Sequence, residues 1–219
     1  MSVERDRWQR WSPLAGVVFA VLLLAALGVS LGGPGDTPTE VADWYADDGN
    51  RGAAFFVFFL LVGAALVFLW FLAALRGVLV RAEGDPARWT ALAFGAGVAS
   101  ATLLLASASL YIAPAATAGQ EEFPFDPSTA NALENAGFAL LICSTMSGAL
   151  VALGTSIVAH RTGLLPRWLS LAGFVVAAVL VFAAFYFPLF VWAAWVLAVS
   201  LVLLVRTARV TGWRSGASS

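Results

Sequence analysis

The chain has 219 residues, 61% of them hydrophobic and 11% charged, and carries a net charge of −1 at neutral pH. Soluble domains sit near half apolar and a quarter charged, and a mean hydropathy of +0.88 exceeds what a soluble core of this size can hide. The composition is that of an integral membrane protein. It excludes disorder, a collagen-like repeat, a disulfide scaffold (there is one cysteine) and a bulk electrostatic case for nucleic-acid binding.

A bilayer's hydrocarbon core is ~30 Å thick, so a spanning helix needs ~20 mostly apolar residues. Six stretches qualify, at about 14–31, 53–75, 90–112, 135–159, 168–187 and 189–205. They predict an all-α bundle of three successive helical hairpins, flanked by segments 1–13 and 207–219. The first stretch is ended by Gly32, Gly33 and Pro34. Its apolar run, Leu14–Leu31, is longer than the core of a secretory signal, so a retained helix is expected. In the first loop, Thr37-Pro38-Thr39-Glu40 spells a capping box with proline at the first helical position. A short amphipathic helix follows, with Val41, Trp44 and Tyr45 on one face, its aromatics in the interfacial zone and its end at Gly49-Asn50.

Arg51 and Arg76 bracket the second span, and the third is expected to stop before Pro114. After a loop over 114–131, Asp126-Pro127 reads as a cap that starts the fourth helix ahead of its apolar core. Trp168–Val205 is a single apolar run, bounded by Arg167 and Arg206. As one helix it would be ~57 Å long, nearly twice the hydrocarbon thickness. Pro188 divides it, because proline breaks helices and disfavours helix in the residue before it, here Phe187.

Eleven of the 12 arginines fall on one side of this arrangement, and Arg51 alone on the other. The positive-inside rule puts both termini in the cytoplasm. Nine of the 13 acids take the opposite, outer side. Trp11, Trp89, Arg167 and Trp168 are expected to anchor helix starts at the cytoplasmic interface. The Arg-Trp phrases at Trp11, Trp89 and Trp168 recur at nearly equal spacing. That spacing fits either a repeated hairpin or interfacial anchoring alone. There is no lysine, so no retinal or pyridoxal Schiff base can form.

None of the six cores holds Asp, Glu, Lys, Arg or His. A charge at mid-bilayer costs ~2.5–3.5 kcal/mol even on lenient scales, so ionisable residues there normally mark function. Their lack argues against proton-coupled transport, voltage sensing and intramembrane carboxylate catalysis. Glu134 and Asn135, near the outer end of the fourth span, are the candidate outer mouth, an exposed interfacial carboxylate being the plainer alternative. His160 and Cys143 are single, so no metal, haem, cofactor or nucleophilic triad is expected, nor an enzyme. Five carboxylates between Asp36 and Asp48 match no ligand spacing and read as a solvated acidic face.

The third and fourth spans are rich in small and hydroxyl residues, and Gly137, Ser144, Gly148 and Thr155 share one helical face. Ser100, Ser107, Ser144, Ser147 and Thr155 form a candidate polar seam. Its main reading is close helix packing, and its alternative a crevice for a neutral solute. The third and fourth helices are therefore expected at the bundle's centre, with the second and sixth toward lipid.

The loop His160-Arg161-Thr162-Gly163-Leu164-Leu165-Pro166-Arg167-Trp168-Leu169 resembles an R-x-G-L-L-P-R-W-L loop that joins the fourth and fifth helices in a family of six-helix actinobacterial membrane proteins. The chain length and the Trp44-Tyr45 pair in an acidic first loop fit that resemblance. It implies the bacterial cytoplasmic membrane and no particular activity. The expected function is non-enzymatic: a structural or partner-binding membrane protein, engaging a protein partner or a second copy, whose contact surface is the acidic outer cap. The alternative is a small permease or channel for a neutral or lipophilic solute.

Overall fold

The computed structural model describes residues 14–120 and 124–216, with side chains as far as Arg206. Trp11, Glu121 and Glu122 lie outside the described residues. Within them, seven α-helices and one 3-10 turn follow in order: α1 (Leu14–Ser30), α2 (Pro38–Ala46), α3 (Asp48–Glu83), α4 (Arg88–Ala118), α5 (Pro127–Thr162), α6 (Arg167–Leu180), the turn Ala183–Phe185, and α7 (Phe187–Gly216). Among the described residues there is no strand. Four helices (α3, α4, α5 and the Phe187–Arg206 part of α7) are long and apolar enough to cross a membrane, while α1 and α6 are shorter apolar helices of 17 and 14 residues.

Local sequence accounts for most helix ends. Glu40 N–H donates to the Thr37 hydroxyl at 3.3 Å and Thr37 N–H donates to Glu40 Oε2 at 3.0 Å, so the capping box of α2 is complete. Hydrogen bonds to the Glu40 carboxyl from the Thr37 backbone N–H, then from the Thr37 side chain, hold it below the usual range. The carboxylate contribution is thus fully present above the ordinary Glu value of about 4.3 and is lost as pH falls through the lowered one. Replacing Thr37 by Ala is expected to cost about 1 kcal/mol. Faster hydrogen exchange at the α2 amides would report it; unchanged exchange would refute the cap's role.

Asp126 caps α5 by accepting from the N–H groups of Ser128 and Thr129, and Gly163 ends that helix with φ at +68°, a left-handed conformation that glycine adopts freely. Pro166 is the N-cap of α6.

Four boundaries depart from the sequence-based expectation. The amphipathic helix stops at Ala46, not Gly49-Asn50, because Asp47 accepts from Asn50 N–H and starts α3 at once. The third span runs through Pro114 to Ala118. Proline here gives up the N–H that would bond the Leu110 carbonyl, and burial offsets that loss: Pro114 and Ala115 are buried, the latter in a cluster with Val41, Tyr45 and Ala130. The long apolar run breaks after Leu180 rather than at Pro188, which sits in the first turn of α7 where its lacking N–H is harmless. α7 also continues past the expected end at Val205.

Neighbours in the chain are neighbours round the bundle, and α7 closes the ring against α1. The most extensive pairing is α4 with α5, as the small residues require. The centre, however, is aromatic and comes from α1, α3 and α7. Phe19 and Phe68 lie 4.6 Å apart between ring centres, Phe68 meets Trp192 edge-on at 5.8 Å, and Trp192 stacks on Trp195 at 5.6 Å. The expectation that the second and sixth spans merely face lipid is corrected accordingly. α3 is two-faced: Phe55, Phe56, Phe59 and Trp70 point outward, whereas Phe68, Phe71 and Leu72 are fully buried. In α7, Trp192, Trp195, Val196 and Val199 are buried. A ring of six helices leaves a central space that only large side chains fill, so small residues serve the helix–helix contacts and aromatics serve the middle.

Candidate functional site

The chain's two kinds of loop gather at opposite ends. The arginine end holds the Gly84–Ala87 and Gly163–Pro166 connections. There Glu83, at the end of α3, accepts from Trp89 N–H and Thr90 N–H, both at 2.9 Å, and from the Thr90 hydroxyl at 2.6 Å. It thereby caps α4, whose own N-cap residue, Ala87, has no side-chain bond to offer. Arg206 donates to the Leu164 carbonyl and ties α7 to the α5–α6 connection. Trp168 and Arg167 are exposed. Trp89 differs: it is half-buried against the main core, with the Arg161 guanidinium 6.0 Å from its ring centre.

The candidate seam is closed. Ser144 donates its hydroxyl to the Ser100 carbonyl at 2.8 Å, the two hydroxyls are 3.1 Å apart, and Ser107 donates to the Gly137 carbonyl at 2.7 Å. A Cβ at Gly137 would stand 3.3 Å from the Ser107 carbonyl oxygen, so the α4 and α5 backbones touch here. Thr155 is fully buried and its hydroxyl has no hydrogen-bond partner among the described residues. Ser147 does not join the seam; its hydroxyl turns back to the Cys143 carbonyl of its own helix. Gly148 does not face α4 either. It makes room for Trp192, whose ring lies 3.1 Å from where its Cβ would be.

At the acidic end the helix ends line an open-sided cavity of about 210 Å³. α1 contributes Ser30, α2 Trp44 and Tyr45, α3 Ala53 and Val57, α4 Tyr111, α5 Glu134, Asn135 and Phe138, and the α6–α7 connection Tyr186. The expected outer-mouth pair Glu134 and Asn135 is therefore brought together with groups the sequence did not single out. All three tyrosines of the chain line this one space.

The Val41–Trp44–Tyr45 face of α2 does not lie in the interface as expected. Val41 and Tyr45 are buried against Ala115 and Ala130, because α4 and α5 both run past their apolar cores to meet them. Trp44 Nε1 donates to the Gly32 carbonyl at 3.0 Å. The Tyr45 hydroxyl donates to Glu134 Oε1. Burial, then that carboxylate, pushes the Tyr45 phenol up, so it remains a donor at neutral pH. Phe138 stacks on Tyr186 at 4.9 Å, and Tyr186 has φ at +67°, a strained conformation for a residue with a Cβ.

Arg51 is the arginine that breaks the side rule, and its place has a local cause. It donates to the Tyr45 carbonyl at 2.8 Å and the Ala46 carbonyl at 3.1 Å, satisfying the last turn of α2, and pairs with Asp48.

Long apolar helices packed round an aromatic core, with a mainly apolar cavity holding a few polar groups at one bundle end, define a helical membrane protein. No family model, curated protein or solved structure matches the chain.

Proposed function

We propose that the chain crosses the bacterial cytoplasmic membrane six times, with both termini in the cytoplasm, and acts as a non-enzymatic binding protein whose acidic outer end takes up a small ligand. The cavity at Glu134 carries this reading: five helix ends and the α6–α7 connection converge on it, and a separately capped helix, α2, forms part of its wall. Apolar cavities with a few convergent polar groups are where membrane and soluble bundles alike hold small molecules. The six-span count rests on α1 and α6 standing in the same ring as the four longer helices. The orientation rests on the arginines. The R-x-G-L-L-P-R-W-L loop, with its resemblance to six-helix actinobacterial proteins, agrees with both.

A permease would need the α4–α5 seam to open. The direct hydroxyl-to-carbonyl bonds of Ser144 and Ser107 favour a closed bundle instead.

Topology is tested by cysteine labelling in a Cys143→Ala background. Asp43→Cys should react with a membrane-impermeant maleimide on intact cells, and Asp85→Cys only after permeabilisation; the reverse pattern overturns the orientation. Binding is tested by native mass spectrometry of protein released from nanodiscs. A stoichiometric small molecule, present on the wild type and lost from Ala53→Phe, supports the reading. A protein partner lost when residues 37–49 are replaced would move the function to a docking surface.

A further inference from the structure

We infer that the cavity at the acidic end is built for a small organic cation, an ammonium group on an apolar body. The inference rests on the binding reading above and names the class of ligand.

The carboxylate comes first. Glu134 is half-buried, and only its Oε1 is engaged, by the Tyr45 hydroxyl. Among the described residues Oε2 has no hydrogen-bond partner. A partly desolvated carboxylate is costly unless both oxygens find donors, and an ammonium supplies a donor and a compensating charge together. Nothing on the described cavity wall supplies that charge: of the residues lining it none is basic, and Arg51, the arginine of this end, is spent on the Tyr45 and Ala46 carbonyls and on Asp48.

The rest of the wall suits the same guest. Trp44, Tyr45, Tyr111, Phe138 and Tyr186 all line the space. Ring faces attract cations within about 6 Å of their centres, more strongly as water is excluded, and they repel anions. Outside the cavity, Asp36, Glu40, Asp43, Asp47 and Asp48 give the end a negative field that concentrates cations and turns anions away. At about 210 Å³ the space is smaller than the ~300–1,000 Å³ that drug-sized ligands occupy, so the guest is small. The strain at Tyr186 lies where its ring is held against Phe138 on the wall, which is where a preorganised site would keep it.

The test is a titration of the full-length protein in phosphatidylcholine nanodiscs, with empty nanodiscs as the blank and tryptophan fluorescence and calorimetry as readouts. Three probes of one shape are used: benzylammonium, benzyl alcohol and benzoate. Benzylammonium should bind at least tenfold more tightly than benzyl alcohol, and benzoate should not bind. Glu134→Gln keeps the size and the acceptor for Tyr45; it should weaken benzylammonium at least tenfold and leave benzyl alcohol unchanged. Ala53→Phe leaves Glu134 untouched and should exclude both probes by filling the space, which keeps the test decisive should Glu134→Gln fail to fold. Equal binding of benzylammonium and benzyl alcohol, or binding of the cation that survives Glu134→Gln, overturns the cation inference while cavity binding stands; binding that survives Ala53→Phe lies outside the cavity and overturns both. Binding of none of the three overturns the ligand-binding reading itself.

Discussion

Tyr45→Ala is expected to detach α2 from the bundle and open the cavity without unfolding the rest. Tyr45 is 2% exposed, and it packs with Val41, Ala115 and Ala130 in a cluster separate from the main core. Its ring also lies 5.3 Å from that of Phe125, and its hydroxyl holds Glu134. Truncating a buried aromatic to Ala costs ~3–5 kcal/mol. Nine residues of helix cannot hold themselves, since isolated helices below ~12–15 residues are marginal in water. The loss therefore falls on α2 first. Hydrogen exchange measured by mass spectrometry should show the Val41–Ala46 amides fully exchanging, with those of Leu141–Ala159 protected as in the wild type. Slow exchange in α2 together with a lower melting temperature of the whole bundle would show that the α2 cluster and the core are one cooperative unit. Tyr45→Phe isolates the polar part: removing the one hydroxyl leaves Glu134 without its partner, at a cost of ~1–3 kcal/mol.

Gly154→Leu is expected to destabilise the whole bundle by about 3 kcal/mol or more, the upper end of what overpacking costs. A Cβ at Gly154 would stand 2.8 Å from the Trp89 carbonyl oxygen and 3.0 Å from the Ala93 Cβ. The first of these is backbone at the capped start of α4, which cannot step aside as a flexible side chain would. The helix-propensity gain on losing a glycine, at most about 1 kcal/mol, is too small to offset it. Gly95 is the control, because a Cβ there meets nothing within 4 Å. Thermal unfolding in detergent should place Gly95→Leu with the wild type and Gly154→Leu well below. Similar melting of the two variants would mean that α4 and α5 do not rely on this contact.

The local chemistry of caps was legible because it is written within four residues. The Thr37–Glu40 box, the Asp126 cap and the Gly163 stop all stand where the sequence puts them. Glu134 and Asn135 were found from the sequence because a carboxylate next to an apolar span is conspicuous, and both line the cavity. Tyr111 and Tyr186 were missed, being far apart in the chain and separated from Tyr45 by whole helices. One signal was available: the chain has three tyrosines, and Tyr111 and Tyr186 each fall at the outer end of an apolar stretch, where a ring with a polar tip belongs. Nothing local singles out Glu83, since its work is to cap a helix that begins beyond the next turn.

What the sequence determined by itself is what short-range physics decides. Apolar runs of membrane length become helices because backbone groups in lipid have no other partner. Arginines sort to one end, and caps and glycines set the nearby boundaries. The tertiary structure decided how those helices share space. It extended α4 through Pro114 because Ala115 had Val41 and Tyr45 to pack against, and it filled the centre with Phe68, Trp192 and Trp195 because a ring of six helices leaves room there. It also drew Tyr45, Tyr111, Tyr186 and Glu134 into one cavity. Contacts of that kind form between residues far apart in the chain, so their energy depends on which surfaces meet, and no local pattern records it.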